Sequence, residues 1–391
     1  MSVAVILFAA SVVFVLYAVI GYPVLLSIYA RLFPIPVRKE LIYRRVSIVI
    51  PVRNGASWIR NKLDSLLDSD YPAELIDVLV VSDGSTDGTN ELVEEYLDDR
   101  VRLLALAPGG KAVAVSRGLE NVSGEIVVLT DVRQPFDKQA LSKLVACFAD
   151  PAVGVVTGEL IIREGLSSEE YNTGLYWRYE KWIRRNLNRI DAMLGATGSI
   201  YAIRRELAAS IPAGVLLDDV YLPFKAAFQG FRIYFEDEAK AYDSPTSLRS
   251  EFWRKVRTQA GVYQILFRFP GLLWPGNRRF IHFVSHKLSR LLLPFALLAA
   301  AICTWWLPAP WRDIAAVLQI VFYGFAVCDL WVPEHTTLKR LSGTCRAFVV
   351  LITAAFCGLT VFFLPSQKLW RETRVENSKA PESVLRAGRR V

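Results

Sequence analysis

Two residue types that often mark functional sites are scarce in this sequence. The 391 residues include five cysteines without a Cys-x-x-Cys pair, so a disulfide framework is not expected, and a reduced, cytoplasmic central region is consistent. Only three histidines are present. His282 and His286 are four residues apart, a spacing that can bind a metal, but no third ligand is evident and we favour interfacial packing for both.

A nucleic-acid-binding motif is also lacking, although the sequence is basic. The formal net charge is +8 at pH 7, which fits either nucleic acid or an anionic membrane surface as a partner. Because no motif supports the first, we expect a lipid bilayer as the partner and no nucleic acid.

Charged side chains are absent from long segments near both ends. Residues 3–30, 291–311 and 347–367 carry none, and residues 314–333 carry only Asp329. A helix needs about 20 apolar residues to cross the hydrocarbon core. The first segment is too long for a signal peptide, and no basic residue precedes it. We therefore predict one transmembrane helix within residues 1–33 and about three within residues 291–367.

Basic residues flank these helices and predict their orientation. Clusters within residues 31–45, 287–290 and 339–346 would all lie on one side, which should be the cytoplasm. Four crossings would place the basic tail, residues 368–391, on the opposite side. Either the tail departs from the positive-inside rule or the number of crossings is wrong by one, and the sequence leaves both alternatives open.

The region between the membrane segments alternates between strand-like and helix-like patterns. This alternation favours an α/β domain with a mainly parallel, Rossmann-like sheet covered on both faces. The strands are predicted at residues 46–50, 78–81, 101–104, 126–130 and 153–156, and the helices at 56–67, from 89, at 111–119 and at 139–148.

Polar clusters follow three of the predicted strands, at residues 51–54, 82–87 and 131–134. Ligands of open α/β sheets bind at the carboxyl ends of the strands, so the clusters should converge. Asp83 lies in a turn rich in glycine and serine, where its carboxylate could accept hydrogen bonds from a nucleobase or a ribose. The alternative is an ordinary turn in which Ser85 or Asp87 caps the next helix.

Six stretches in a fixed order resemble the family-2 glycosyltransferases, which have the GT-A fold. The resemblance covers about residues 46–261, and membrane-bound members of that family make polysaccharides or glycolipids from nucleotide sugars. Each stretch alone is a weak signal, whereas six in order between membrane helices are specific. The stretches are IVIPVRNG (48–55), VVSDGSTDGT (80–89), PGGKAVAVSRGL (108–119), GEIVVLTD (124–131), ATGSIYAIRREL (196–207) and LLDDVYLPFKAAFQGFRIYFED (216–237).

The resemblance assigns donor-binding roles to several residues. It implies that Asp83 binds the uracil and ribose of a UDP-sugar, and that Pro51 and Lys111 also lie at the nucleotide. The ammonium of Lys111 can balance diphosphate charge, although a solvated helix start is the alternative. Asp131 matches the first aspartate of the family's DxD motif.

The resemblance also implies a catalytic base, Asp219, with Asp218 in place of the glutamate that precedes the base in the family. Inverting transfer needs one general base to take the proton of the acceptor hydroxyl, and the departing diphosphate must be neutralised. The alternative is that Asp218–Asp219 form the N-cap of a helix at residues 221–228, and capping and catalysis could both hold, one for each residue. The candidates on the acceptor side are Asp218, Gly198, Arg254 and Gln259.

The first departure from the family pattern is Arg133, which stands where DxD has its second aspartate, a principal ligand of Mg²⁺ or Mn²⁺. A guanidinium cannot ligate a cation but can pair with phosphate, so we favour contact with the diphosphate, and a metal cofactor is in doubt. One alternative is an ion held by Asp131 and phosphate oxygens. Another is a simple ion pair of Arg133 with Asp131 or Glu159.

The second departure affects the QxxRW motif of processive members. Its nearest match, residues 254–258, reads RKVRT. Arg257 keeps the motif's arginine, which we expect on phosphate, but the tryptophan that would stack on an acceptor sugar is missing. This puts long-chain processivity in doubt, and addition of one or a few sugars is an equal alternative.

Two further segments mix aromatic and basic residues. Residues 176–189 suit either a helix near lipid headgroups or an anionic acceptor, or a solvated basic face. Residues 262–290 are predicted to be an amphipathic interfacial segment that steers the catalytic domain, residues 40–261, onto the membrane.

These observations predict a multi-pass protein of the inner (cytoplasmic) membrane whose catalytic domain is cytoplasmic. It would be an inverting glycosyltransferase that moves a sugar from a nucleotide sugar, with UDP expected, to a polysaccharide or lipid-linked acceptor in envelope polysaccharide or glycolipid synthesis. Two rivals stay open: a non-catalytic nucleotide-sugar-binding subunit of a synthase complex, and a polyprenyl-phosphate glycosyltransferase. The sequence does not show whether partner subunits are required.

Overall fold

The computed structural model describes residues 2–162, 168–244, 248–333, 336–365 and 368–369. The basic tail beyond residue 369 lies outside the described residues. So do the side chains at the start of the aromatic and basic segment, residues 176–177.

Within the described residues, seven strands form one mixed sheet in the order β3-β2-β1-β4-β6-β5-β7. β1 is parallel to β2 and β4, β2 is parallel to β3, and β5 is parallel to β7, whereas β6 is antiparallel to both of its neighbours. The predicted mainly parallel α/β sheet is therefore confirmed. The strands are β1 (Val46–Val52), β2 (Ile76–Asp83), β3 (Val101–Leu106), β4 (Ile126–Leu129), β5 (Val153–Ile162), β6 (Tyr201–Arg204) and β7 (Arg232–Asp243).

Helices cover both faces of this sheet. In β1, Val49 belongs to one buried cluster and Ile48 and Ile50 to another, because successive side chains point to opposite faces. Burial on both faces explains why the parallel strands have continuous apolar sequences. The helices of the domain are α3 (Ala56–Leu67), α4 (Thr89–Glu94), α5 (Lys111–Glu120), α6 (Ala140–Ala146), α7 (Ser168–Arg189), α8 (Asp218–Phe228) and α9 (Leu248–Arg268).

Two strands were not predicted. β6 has only four residues, and β7 alternates apolar and charged side chains because it lies at the edge of the sheet. Its sequence, RIYFEDEAKAYD, lacks the continuous apolar run that marks the central strands.

Four helices in the described part of the chain are long and apolar enough to cross a membrane, and they flank the sheet domain as predicted. The four span Val3–Leu32, Phe280–Thr304, Trp311–Trp331 and Thr337–Phe362. They comprise α1 (Val3–Leu16), a π-turn (Tyr17–Gly21), α2 (Tyr22–Leu32), α10 (Phe280–His282), a π-turn (Phe283–Leu288), α11 (Ser289–Thr304), α12 (Trp311–Cys328) and α13 (Thr337–Cys357).

The direction of these helices relative to the sheet domain follows from their contacts. α11 begins at the domain, where Arg290 pairs with Glu180 of α7. The helical segment after α13 ends at the domain, because the rings of Phe362 and Tyr263 lie 5.5 Å apart between centroids. Beyond it, Leu369 packs against Leu216 and Ala260.

α12 and α13 form an antiparallel pair. The rings of Phe322 and Phe348 lie 5.7 Å apart between centroids, and Ser342 donates a 2.7 Å hydrogen bond to Asp329 at the other end of the pair. Because α13 runs toward the sheet domain, α12 runs away from it. α11 and α12 therefore run in the same direction.

The segment before the second membrane helix is held to the sheet domain by one buried carboxylate. Asp191 accepts contacts from Arg278 at 2.5 Å and from Arg279 at 3.4 Å, and Arg232 lies 3.9 Å away. Large apolar side chains in the same segment stay exposed, among them Trp274, which is 70% exposed. This arrangement is typical of a surface that contacts lipid.

Candidate active site

The loop after β2 is tied to the loop before α5 by Asp83. One carboxylate oxygen accepts hydrogen bonds from the backbone N–H of Gly109 at 2.6 Å and of Gly110 at 3.1 Å, and the other accepts from Gly110 at 3.0 Å. Gly110 has a φ of +90°, which glycine adopts without strain. Asp83 thus holds the entrance to α5, directly before Lys111.

The loops after β1 and β2 are joined by further hydrogen bonds. The side-chain oxygen of Asn54 accepts from the backbone N–H of Thr86 at 2.9 Å, and Asp87 accepts from Ala56 at 3.0 Å and from Thr89. Asp87 thus accepts from the first residue of α4, whose N-cap residue is Gly88. Pro51 lies within β1 and is partly buried.

Lys111 is the centre of the charged network. Its ammonium lies 2.9 Å from a carboxylate oxygen of Asp131 and 3.1 Å from one of Asp218. Burial opposes its charge, but the carboxylates of Asp131, Asp218 and Asp219 outweigh this effect and raise the pKa of Lys111 above its usual range. The interpretation of Lys111 as a solvated helix start is wrong, because its side chain is only 18% exposed.

Asp131 stays ionised in this network. Burial acts to raise its pKa, but Lys111, Arg257 and Arg133 together hold the pKa of Asp131 below its usual range. The structure therefore brings together four of the predicted donor-side residues, which come from three separate stretches of the sequence.

Asp218 and Asp219 form the first turn of α8. The helix begins at Asp218 after the N-cap residue Leu217, so the prediction that the two aspartates cap a helix starting at residue 221 is wrong. Asp219 instead accepts a 3.1 Å hydrogen bond from the backbone N–H of Gly198, which places this candidate beside the base. Burial and the neighbouring charge of Asp218 raise the pKa of Asp219 to about 6.

Arg133 forms a different ion pair from either alternative considered for it. Its guanidinium lies 2.6 Å from Asp243, at the end of β7, and Gln134 donates a 2.9 Å hydrogen bond to the same oxygen. Glu159 pairs with Lys181 at 2.5 Å. The partner was missed because β7 was missed.

The two remaining acceptor-side candidates, Arg254 and Gln259, lie at different positions. On α9, Arg257 acts electrostatically on Asp131 and Asp219, and Arg254 acts on Arg257. Gln259 packs against the short helical segment Gly358–Phe362 that follows α13. A Cβ atom added at Gly358 would lie 3.0 Å from the Cβ of Gln259.

The carboxylates of this site do not by themselves form the ligand set of a metal ion. Among the described residues, no group of three or more His, Cys, Asp or Glu side chains is placed to hold one. An ammonium, that of Lys111, occupies the position between Asp131 and Asp218. Of the two histidines, His282 forms a 3.2 Å hydrogen bond with Tyr22, and His286 lies beside the same ring.

One residue of the site, Lys62, was not singled out from the sequence. Its side chain is fully buried under the loop after β4, where the ammonium donates to the Thr130 hydroxyl at 2.7 Å and to the Gln134 carbonyl at 2.6 Å. Burial lowers the pKa of Lys62 well below its usual value. The signal was available, because Lys62 interrupts the apolar stripe of α3 formed by Ile59, Leu63 and Leu66.

Comparisons with known proteins agree with this arrangement. Residues 47–211 match the family model described as "Glycosyl transferase family 2". The chain is 26% identical over 227 residues to glycosyltransferase GlyA of Streptococcus pneumoniae, covering 54% of this chain and 32% of that protein. It is 23% identical over 231 residues to poly-β-1,6-N-acetyl-D-glucosamine synthase of Staphylococcus aureus, covering 57% and 56%. The matches thus span about a third to a half of those relatives.

A solved structure is similar over most of the chain. The mannosyltransferase PcManGT from Pyrobaculum calidifontis, in complex with GDP-Man and Mn²⁺, superimposes with a TM-score of 0.71 at 22% identity. The match covers 91% of this chain and 99% of that chain. At this identity the likeness establishes the fold, and the predicted GT-A architecture is confirmed.

Proposed function

We propose that the protein, whose residues 47–211 match the model of glycosyl transferase family 2, is an inverting, membrane-bound glycosyltransferase. It moves a sugar from a nucleotide sugar to a glycan or lipid-linked acceptor, in polysaccharide or glycolipid synthesis. The observation that carries the proposal is the position of Asp219, a partly buried carboxylate with a pKa near 6 in the same charged network as Lys111 and Asp131.

Asp219 acts as the general base. An acceptor hydroxyl attacks C1 of the donor sugar, its proton passes to the Asp219 carboxylate, and the bond between C1 and the leaving oxygen breaks with its electron pair departing on the nucleoside diphosphate. A base works best when its pKa lies near the working pH. With a pKa of about 6, Asp219 is mostly ionised at pH 7 and still basic enough to accept a proton.

The donor binds along the carboxyl ends of β1, β2 and β4, with UDP as the expected nucleotide. The loops tied by Asp83 contact the nucleoside, and Lys111 and Arg257 face the diphosphate. Arg133 joins them from the rim of the site, where it is 19% exposed. Because the solved neighbour carries GDP-Man, GDP-sugars belong in the same test.

Neutralisation of the leaving diphosphate falls to fixed cations in this proposal. Among the described residues, no group of three or more ligands is placed to hold a divalent ion, so such an ion would also need phosphate oxygens as ligands. Lys111, Arg133 and Arg257 offer positive charge at the loops that face the donor. The solved neighbour contains Mn²⁺, so the experiment below compares activity in Mg²⁺, in Mn²⁺ and in EDTA.

The membrane part crosses the bilayer three times. α11 and α12 run in the same direction, and the six residues between them extend over at most about 25 Å, which is less than the hydrocarbon core of about 30 Å. The two helices therefore complete one crossing together, and α13 returns to the catalytic side. The catalytic domain faces the cytoplasm of the inner membrane, and the basic tail joins it there, in agreement with the positive-inside rule. The basic residues within 339–346, near the start of α13, then lie on the opposite side, unlike the expectation from the sequence.

Single cysteines test this arrangement in membrane vesicles of known sidedness. A cysteine introduced at Arg389 should react with an impermeant maleimide on the same side as one at Arg117 of α5 and on the opposite side from one at Ser2. If the tail cysteine reacted on the same side as the cysteine at Ser2, the result would instead support four crossings. The proposed boundaries remain 1–33, 40–261, 262–290, 291–367 and 368–391.

The transferase proposal is tested by nucleoside diphosphate release from the purified full chain in lipid. A panel of UDP- and GDP-sugars is supplied with Mg²⁺, Mn²⁺ or EDTA, beside Asp219→Asn. We expect release with one donor, loss of release in Asp219→Asn, and release that survives EDTA. Donor binding without release from any donor, with lipid and glycan acceptors present, would instead favour a non-catalytic nucleotide-sugar-binding subunit.

A further inference from the structure

A group of charged side chains lies where α7 meets the second membrane helix. Glu180 of α7 forms an ion pair with Arg290, and His286 lies 3.8 Å from the same carboxylate. Both Glu180 and Arg290 are only about one fifth exposed. Charged groups at the edge of a membrane-spanning segment are costly and usually serve binding or transport.

Lys287 belongs to this group but differs from its neighbours. It makes no hydrogen bond or ion pair with any residue that the structure describes, and its side chain is partly buried. It lies within electrostatic range of Glu180, Arg184, Arg290 and the base Asp219. Glu180 is already paired with Arg290, so no carboxylate in contact neutralises Lys287.

The position of Lys287 is fixed by two π-turns that face each other. The π-turn Tyr17–Gly21 and the π-turn Phe283–Leu288 are joined by a 2.7 Å hydrogen bond between Tyr17 and Ser285. Single π-turns inside α-helices occur frequently at functional sites. Here they hold Lys287 between the membrane helices and the catalytic domain.

A short loop connects the base to Arg184, whose charge acts on Lys287. Arg184 donates a 2.6 Å hydrogen bond to the Thr197 hydroxyl, and the next residue, Gly198, donates its N–H to Asp219. An acceptor whose hydroxyl reaches Asp219 would extend toward Lys287, and from there toward lipid along α1 and α11.

We infer that Lys287 binds the phosphate of a lipid-linked acceptor and presents the acceptor's sugar hydroxyl to Asp219. An unpaired ammonium at the membrane face is suited to a phosphate ester, because a charge-assisted hydrogen bond is stronger than a neutral one. This inference rests on the proposed transferase, since it names the acceptor class of the same site. The same phosphate chemistry could come from a phospholipid headgroup or from free phosphate, and the experiment separates these sources.

The test measures binding and does not depend on turnover. The full chain in phosphatidylcholine nanodiscs is titrated with a photoreactive polyprenyl diphosphate carrying N-acetylglucosamine, and crosslinking yield gives the half-saturating concentration. We expect it to rise about tenfold in Lys287→Ala and to return to within about twofold of the natural protein in Lys287→Arg. Arg268→Ala removes an exposed charge from the end of α9 and should change nothing.

Competition identifies the source of the phosphate. Unlabelled polyprenyl diphosphate sugar should displace the probe, whereas equal concentrations of phosphatidylglycerol or inorganic phosphate should not. Equal displacement by phosphatidylglycerol or by inorganic phosphate would overturn the inference, as would unchanged binding in Lys287→Ala. If the probe bound through Lys287 while no donor released its nucleotide, the transferase would fail and the phosphate site would stand.

Discussion

The two sides of the active site are built differently. On the donor side, the carboxylates are held by groups that follow parallel strands: Asp83 by two backbone N–H groups and Asp131 by Lys111. On the acceptor side, Asp219 belongs to a helix and lies near α9 and the membrane helix that carries Lys287. The donor side is a fixed set of compensated charges, whereas the acceptor side keeps a partly protonated base and an unpaired lysine. In the proposed reaction, a constant nucleotide and a lipid-linked acceptor would place these different demands on the protein.

The largest expected effect comes from Lys111, which joins the two sides. Lys111→Ala leaves Asp131, Asp218 and Asp219 without their shared ammonium, which raises the pKa of the base and repels the donor diphosphate. We expect the rate of transfer to fall by about 100-fold or more, measured by nucleoside diphosphate release. Lys143→Ala, which removes a surface ion pair with Glu238, is the charge-matched control. If the rate fell by less than threefold in Lys111→Ala, Lys111 would not join the donor side to the acceptor side.

A smaller effect is expected at the rim of the donor side. Arg133→Ala should weaken donor binding by about tenfold, since a charge-assisted hydrogen bond to phosphate is lost. Asp243→Asn keeps the guanidinium but removes its partner, and should weaken donor binding less. Binding is measured by titration with the donor in EDTA. Equal affinity in Arg133→Ala and the natural protein would leave Arg133 as a structural partner of Asp243 alone.

The smallest effect concerns the acceptor side and appears in the pH profile. Transfer should rise with pH as Asp219 loses its proton, with a midpoint near 6. Asp218→Asn removes the negative charge that helps to raise this pKa, so the midpoint should move to lower pH while the rate at pH 7 changes by only a few-fold. An unchanged midpoint, or a shift to higher pH, would show that Asp218 does not control the base.

The donor side could be predicted from the sequence because its information is local. Each of its loops directly follows a buried apolar strand, and parallel strands bring such loops to one edge of the sheet. α3 was predicted at its observed bounds because its apolar residues recur at helical spacing without interruption by glycine or proline. The same reasoning brought the loops of Asp83 and Asp131 to one edge of the sheet, whereas Lys111 was assigned from the family resemblance.

Contacts that join residues far apart in the sequence could not be predicted to the same extent, on either side of the site. The Arg133–Asp243 and Arg290–Glu180 pairs each join residues 110 positions apart. Lys62 was overlooked for a different reason: a lysine is rarely buried without a carboxylate partner. Here a hydroxyl, a carbonyl and the ring of Phe136, 3.7 Å from the ammonium, surround it instead.

The facing π-turns have a consequence for how the protein tolerates deletions. Each behaves as one residue inserted into an α-helix, and one residue corresponds to a rotation of about 100°. Removing a residue from the turn at Phe283–Leu288 would rotate the helix after the deletion relative to the helix before it. The orientation of Lys287 relative to Asp219 would then change. Removing one from Tyr17–Gly21 would instead turn α1 away from the membrane helices that it contacts. The rotation of these membrane helices about their axes is therefore set by one inserted residue in each π-turn, whatever the side chain of that residue is.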